Sequence, residues 1–322
     1  MAPSVSAPLP GPPASAPPPG PSPVSAPPLV AVAHGSRDPR ASATVEALLE
    51  DVRRARPGLA VLGAYLDHSR PSLGEALAGL GEAVVLPLLL TEAYHSRVDI
   101  PAALREERAR RAWARHAAPH HPAGHSPEPS SGLAESRVAL HVQDGPLPLP
   151  VPDAPPPFRV HQGAALGPHP LLVTALERRL AEAGVEPGDP GTAVVLVSAG
   201  SSDARANAVI ARMARDWART RGWHSVTPAY ASAASPSPEE AVLRALAGPH
   251  GRAGRPARVV VAPYLLAPGY FADKVRRTTL DAGAHTVAAP LGPAPEVVAV
   301  LLERHAQAVA AFRAGAPAPA PA

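Results

Sequence analysis

Two short stretches place histidines where an apolar run has just ended. Residues 88–101 read LLLTEAYHSRVDIP, so a leucine run gives way to Glu92, Tyr94, His95, Arg97 and Asp99. Residues 30–40 read VAVAHGSRDPR and end the same way, with His34, Arg37 and Asp38. A neutral imidazole is a good ligand for Fe²⁺, Co²⁺, Ni²⁺ or Zn²⁺, and it accepts a proton near neutral pH. Two imidazoles alone hold a divalent ion loosely, which suits a site that must release its metal. Glu92 and Asp99 can complete such a coordination sphere or orient the rings. Arg37 and Arg97 offer planar guanidinium donors to an anionic substrate, and Tyr94 stands beside them. His68 and Asp67, in YLDHSRPS, form a secondary candidate pair.

The elements that must position these residues alternate. PLVAVAH has strand length, and in ASATVEALLEDVRRAR residues Val45, Leu48, Leu49 and Val52 recur at helical spacing. LAVLGAY (59–65) reads as a second strand, SLGEALAGL as a helix, AVVLPLLL (83–90) as a third strand and IPAALREERARRAWARH as a helix opened by Pro101. Strand–helix alternation predicts a parallel α/β sheet. Periodicity then stops over 116–157, a Pro/His-rich stretch read as an inserted loop, and resumes with FRVHQGAALGPHPLLVTALERRL. His116, His120, His121 and His125 fall in this stretch and are read as composition rather than as a site.

The chain also repeats itself. AHGSRDPRA (33–41) returns as SAGSSDARA (198–206), and AYLDHSRPSLGEAL (64–77) as AYASAASPSPEEAV (229–242). The run starting at Pro87, PLLLTEAYHSRV, returns as PYLLAPGYFADK from Pro263, and LGPHPLLVTALERRL (166–180) as LGPAPEVVAVLLERH (291–305). The expected fold is α/β: two repeated units, each a small parallel four-stranded sheet flanked by helices, with the active cleft between them. The expected boundaries are a Pro/Ala-rich tail over 1–27, a first repeat over 28–182 containing the insertion, a second over 191–312, and a tail over 313–322.

The duplication acts as an internal control. Gly35/Gly200, Asp38/Asp203, Arg40/Arg205 and Tyr94/Tyr270 persist and are read as scaffold, Asp38 as a helix cap. His34 becomes Ala199, His95 becomes Phe271, His68 becomes Ala233, Arg37 becomes Ser202 and Asp99 becomes Val275. The fold therefore does not require the histidines. Ligands of open parallel sheets bind at the carboxyl ends of the strands. His34 follows the first strand and His95 the third, and in a flavodoxin-like order those strands are neighbours.

Composition narrows the alternatives. With 322 residues the chain can hold two cores. It has no cysteine, which excludes disulfides, thiolate metal sites and iron–sulfur clusters. The formal net charge is +3, with no Lys/Arg block that would track a phosphate backbone, so no nucleic-acid partner is expected. The N-terminal MAPSVSAPLPGPPASAPPPG has neither the basic start nor the apolar run of a signal peptide, and no apolar run approaches the ~20 residues of a membrane span. A cytoplasmic protein without a membrane partner is expected.

The quoted stretches AHGSRDPRA, AYLDHSRPSL, PLLLTEAYHSRVDIP and LGPHPLL together resemble the CbiX-type sirohydrochlorin chelatases, of the class II chelatase fold shared with ferrochelatases. The resemblance implies a tetrapyrrole held between two facing α/β domains. It also implies that His34 and His95 bind the metal and help remove the protons of the macrocycle. Metal insertion into sirohydrochlorin, for sirohaem or cobalamin, is the expected activity. Fe²⁺ or Co²⁺ is the substrate metal, nickel also suits two imidazoles, and no further cofactor is expected. Because both repeats lie in one chain, a monomer is expected. A non-catalytic metal or tetrapyrrole carrier using the same cleft is the alternative. A histidine-phosphatase reading of HGSR is disfavoured, because that chemistry begins Arg-His-Gly and here Ala33 precedes His34.

Overall fold

The computed structural model describes residues 26–91, 98–117, 158–248 and 254–315. The first half runs β1 (Leu29–Ala33), α1 (Pro39–Ala55), β2 (Val61–Tyr65), α2 (Leu73–Leu77), β3 (Glu82–Pro87), α3 (Ile100–Ala117), β4 (Arg159–Gln162) and α4 (Pro170–Glu182). The second runs β5 (Thr192–Ser198), α5 (Ala204–Thr220), β6 (Ser225–Tyr230), α6 (Pro238–Ala247), β7 (Arg258–Tyr264), α7 (Tyr270–Asp281), β8 (Thr286–Val287) and α8 (Pro295–Arg313). All strand pairings are parallel, in the orders β2-β1-β3-β4 and β6-β5-β7-β8. The two repeated parallel sheets expected from the duplication are present, with β1 and β3 adjacent.

Why the strands are nearly all apolar is plain from burial. Every residue of β1 and β5 is buried, as in strands covered on both faces. Alternate residues serve different cores. Leu29, Ala31 and Ala33 join one continuous core that runs through both halves. Val30 and Val32 pack instead with Leu73, Leu77, Ile100 and Leu104 on the other face of the first sheet. Val195 and Val197 do the same for the second sheet, with Val242 and Val275.

The halves exchange their last helices. Helix α8 packs on α1, β3 and β4 of the first half, and α4 packs on β7 of the second. The contacts are near-symmetric. Arg179 of α4 donates to the Leu291 carbonyl at 2.7 Å, and its repeat counterpart Arg304 of α8 donates to the Leu166 carbonyl at 3.4 Å. Arg178 pairs with Glu296 at 2.7 Å, joining the two helices directly. On the other side of α4, the buried Glu177 accepts from the Trp217 indole at 2.9 Å and from Arg221 at 2.7 Å. Glu177→Leu should therefore strand a buried indole N–H and lower stability by about 1–3 kcal/mol. Urea unfolding should show a lower midpoint with unchanged slope.

Several boundaries differ from the sequence reading: β2 starts at Val61 rather than residue 59, and α8 runs to Arg313, the first residue of the expected tail. β3 ends at Pro87 rather than residue 90. The Leu88 amide still donates to Val32, but the Leu89 and Leu90 carbonyls leave the ladder to accept from the Leu166 amide and the Tyr264 hydroxyl. The expected N-terminal tail runs to residue 27, yet Pro27 is buried and its carbonyl meets His305 Nε2 at 3.1 Å. α3 extends one residue past the expected start of the insertion, to Ala117. Residues 1–25, 118–157 and 316–322, where most of the tails and the insertion fall, lie outside the described residues. Among the described residues no helix is long and apolar enough to cross a membrane.

Burial pushes His305 below the ordinary imidazole range, against the hydrogen bond to Pro27, and burial alone does so for His161 on β4. Both are held neutral in the folded protein, so the unfolded chain binds more protons on acidification. Their stabilising contribution is complete above the unfolded value of ~6.5 and is lost as pH falls from there toward the folded values. The melting temperature should fall between pH 7.5 and 5.5, and less steeply in His305→Gln.

Candidate active site

β1 delivers its last buried residue, Ala33, and the chain then turns outward at His34. Gly35 makes that turn possible. It has φ +94°, and a Cβ there would sit 1.7 Å from the Asp67 carbonyl oxygen. The loops after β1 and β2 are zipped together: Leu66 donates to Ala33, and Asp67 to the His34 carbonyl at 2.9 Å. Ser36 Oγ accepts from the Asp38 amide at 3.0 Å, and Asp38 caps α1 by accepting from the Arg40 amide at 2.9 Å. The Ser69 hydroxyl donates to the Ser36 carbonyl at 3.2 Å. His34 is thus presented, exposed, on a backbone fixed from both sides.

The second half builds the same device without an imidazole. Gly200 has φ +84° and a would-be Cβ 2.0 Å from the Ser232 carbonyl. Ser232 donates to Ala199 at 2.9 Å, Ser201 Oγ accepts from Asp203, and Asp203 caps α5. His68 and Ala233 share φ values of 57° and 58°, so that left-handed turn belongs to the fold whatever side chain it carries. His68 Nε2 sits 3.2 Å from Asp67 Oδ2.

The two carboxyl edges meet. Arg40 lies between Asp38 and Asp273, with both N–O distances 2.5 Å, and so ties the first turn of α1 to the first turn of α7. The hydrogen bonds to Asp38 and then to Asp273 raise the Arg40 pKa, and the same partner holds Asp38 below the usual carboxylate range. The Tyr264 hydroxyl, at the end of β7, donates to the Leu90 carbonyl at 3.0 Å, and burial pushes its phenol well above the ordinary value.

The helix that follows the second histidine stretch is also anchored. Arg111 of α3 donates to the Leu80 and Leu77 carbonyls, at 2.7 and 2.5 Å, and Arg108 to the Val160 carbonyl at 2.8 Å. Burial pushes Glu107 up, but hydrogen bonds from Arg110 and Arg111 outweigh it and hold the carboxyl below its usual range.

Of the residues singled out in the sequence, His34 and Arg37 stand exposed at the carboxyl edge, and Arg37 makes no ion pair among the described residues. Asp99 lies half-buried in the turn that leads into α3. Glu92, Tyr94, His95 and Arg97 lie outside the described residues. Among the described residues no three His, Asp or Glu side chains converge to hold a metal. Asp38 and Arg40 perform the capping and pairing expected of them. Tyr270 does not fit the scaffold role read from its match to Tyr94. It is 73% exposed, beside Phe271 at 42%. A sequence signal existed: aromatics are only 3% of this chain, and two stand side by side at the positions that match Tyr94 and His95.

A curated relative, the sirohydrochlorin cobaltochelatase of Methanosarcina barkeri, is 27% identical over 81 residues, which make up 24% of this chain and 62% of that protein. The solved structure of SirB from Bacillus subtilis with Fe³⁺ superposes with a TM-score of 0.64 at 20% identity, covering 89% of this chain and 96% of SirB. The structure of CbiX, described as the terminal enzyme for biosynthesis of sirohaem in denitrifying bacteria, superposes with a TM-score of 0.55 at 19% identity, covering 87% and 99%. At these identities the superpositions establish a shared fold. The CbiX family model matches residues 28–129 and 193–308, both copies of the repeat and more than half of the sequence. The chain belongs to the CbiX family.

Proposed function

We propose that the protein inserts a divalent metal, Fe²⁺ or Co²⁺, into sirohydrochlorin or a closely related tetrapyrrole. The observation that carries this reading is the asymmetry of the two strand ends. One fold device is built twice, and only the first copy presents an imidazole, at His34, on the edge where the halves meet. His95 follows β3, the strand that pairs with β1. Insertion removes two pyrrole N–H protons as the metal enters, so the site needs ligands that also act as bases. His34 and His95 fill both roles in this account. Arg37 and Arg97 suit the carboxylates of such a substrate, and Glu92, Tyr94 and Asp99 help to place it. The metal is a substrate, and the chemistry asks for no resident cofactor. Since one chain supplies both halves of the cleft, the protein acts as a monomer in this reading.

The test is anaerobic incubation with sirohydrochlorin and a several-fold excess of Co²⁺ or Fe²⁺ over enzyme, followed by absorbance. Many turnovers per protein, above the spontaneous rate, are expected. Capture of a single equivalent without acceleration would instead describe a carrier.

A further inference from the structure

Tyr270 and Phe271 open α7, with ring centroids 5.7 Å apart at an interplanar angle of 69°. Their rings are among the few large apolar side chains left exposed by the described residues. Gly269 before them has nothing within 4 Å of a would-be Cβ. Two features fix their place. Asp273, in the same helical turn, is held by Arg40 against the cap of α1, a few residues from His34. In the repeat, Tyr270 and Phe271 occupy the positions of Tyr94 and His95. The second copy thus puts two aromatic faces where the first copy puts a tyrosine and an imidazole.

Tyr270, 73% exposed, gains little for the fold by standing in water, and Phe271 leaves 42% of its surface there as well. A flat conjugated ring would bury it. We propose that Tyr270 and Phe271 form a shelf that receives one face of the tetrapyrrole, leaving the metal to approach from the first half. The proposal rests on the chelatase reading and names positioning residues, which act by holding the ring rather than by moving protons. The 69° angle means the two rings cannot both stack flat on one plane. One takes the face of the macrocycle and the other meets its edge, both favourable aromatic geometries. Stacking of a planar ring on an exposed aromatic accounts for roughly tenfold or more in affinity in comparable planar ligands.

The experiment is a titration of the full chain with metal-free sirohydrochlorin, under anaerobic conditions, followed by absorbance. Tyr270→Ala/Phe271→Ala should raise the Kd about tenfold or more, with the Kd for Co²⁺ alone unchanged. Phe271→Trp should stay within about twofold of the parent. Because both side chains are exposed, the melting temperature of the double variant should hold, and it is measured alongside. A Kd unchanged in the double variant overturns the shelf, whatever the insertion assay shows. If the parent binds sirohydrochlorin but never inserts metal, and the double variant still loses affinity, the shelf stands and the chelatase reading falls. If the parent does not bind at all, both fall.

Discussion

His34→Ala is expected to abolish metal insertion while leaving the fold intact. The side chain is exposed, and its counterpart Ala199 shows that the same backbone forms without an imidazole. On the proposed reading, removing it takes away a metal ligand and a base at once. General-base contributions alone run to roughly 10²–10⁴ in rate, so a loss of at least about a hundredfold in kcat/KM is expected. Far-UV circular dichroism and the melting temperature should match the parent. A variant that loses activity together with its fold would point to a structural role instead. The Kd for Co²⁺ separates the two jobs of the residue, since a lost ligand weakens metal binding and a lost base alone does not.

Gly35→Ala and Gly200→Ala are expected to be the most damaging small changes at the carboxyl edges. Each glycine has φ between +84° and +94°, and each would drive a methyl group to within 2.0 Å of a backbone carbonyl oxygen. Left-handed backbone alone costs an alanine about 1–2 kcal/mol. The carbonyl belongs to a second zipped loop and cannot move without breaking the bonds to residues 34 and 199. A total near 3 kcal/mol or more is expected, a melting-temperature loss of roughly 6–12 °C for domains of this size. The pair discriminates as well. Both variants should be destabilised by similar amounts, but below their melting temperatures Gly35→Ala should lose insertion far more than Gly200→Ala, because only the first loop carries a histidine. Equal loss of activity at equal residual stability would remove the asymmetry on which the functional reading stands.

The duplication made much of the fold legible. Matching AHGSRDPRA to SAGSSDARA implied one turn built twice, and Gly35 and Gly200 share their φ sign, their carbonyl neighbour and their capping aspartate. Parallel α/β alternation implied the sheet, and the observed β2-β1-β3-β4 order sets β1 beside β3 as a flavodoxin-like order does. The exchange of α4 and α8 did not follow, because periodicity shows which face of a helix is apolar and not which sheet will cover it. Arg179 and Arg304 look like ordinary solvated charges until the symmetric carbonyls of Leu291 and Leu166 are seen. The end of β3 was overrun for a similar reason. Leucines 88–90 continue the apolar run, yet their backbone groups are claimed by another segment and by Tyr264. At the candidate site the position of His34 was readable from the strand end. Repetition marks Tyr270 as scaffold, and its 73% exposure overrides that reading.

The central claim is that the first repeat holds the metal through His34 and His95 while the second receives the ring. The most direct measurement is the steady-state rate of Co²⁺ insertion into sirohydrochlorin, without oxygen, by the parent and by His95→Ala at matched concentration and confirmed fold. The account predicts sustained turnover by the parent and a rate at the spontaneous background for the variant. A variant that inserts metal at near the parent rate would contradict it.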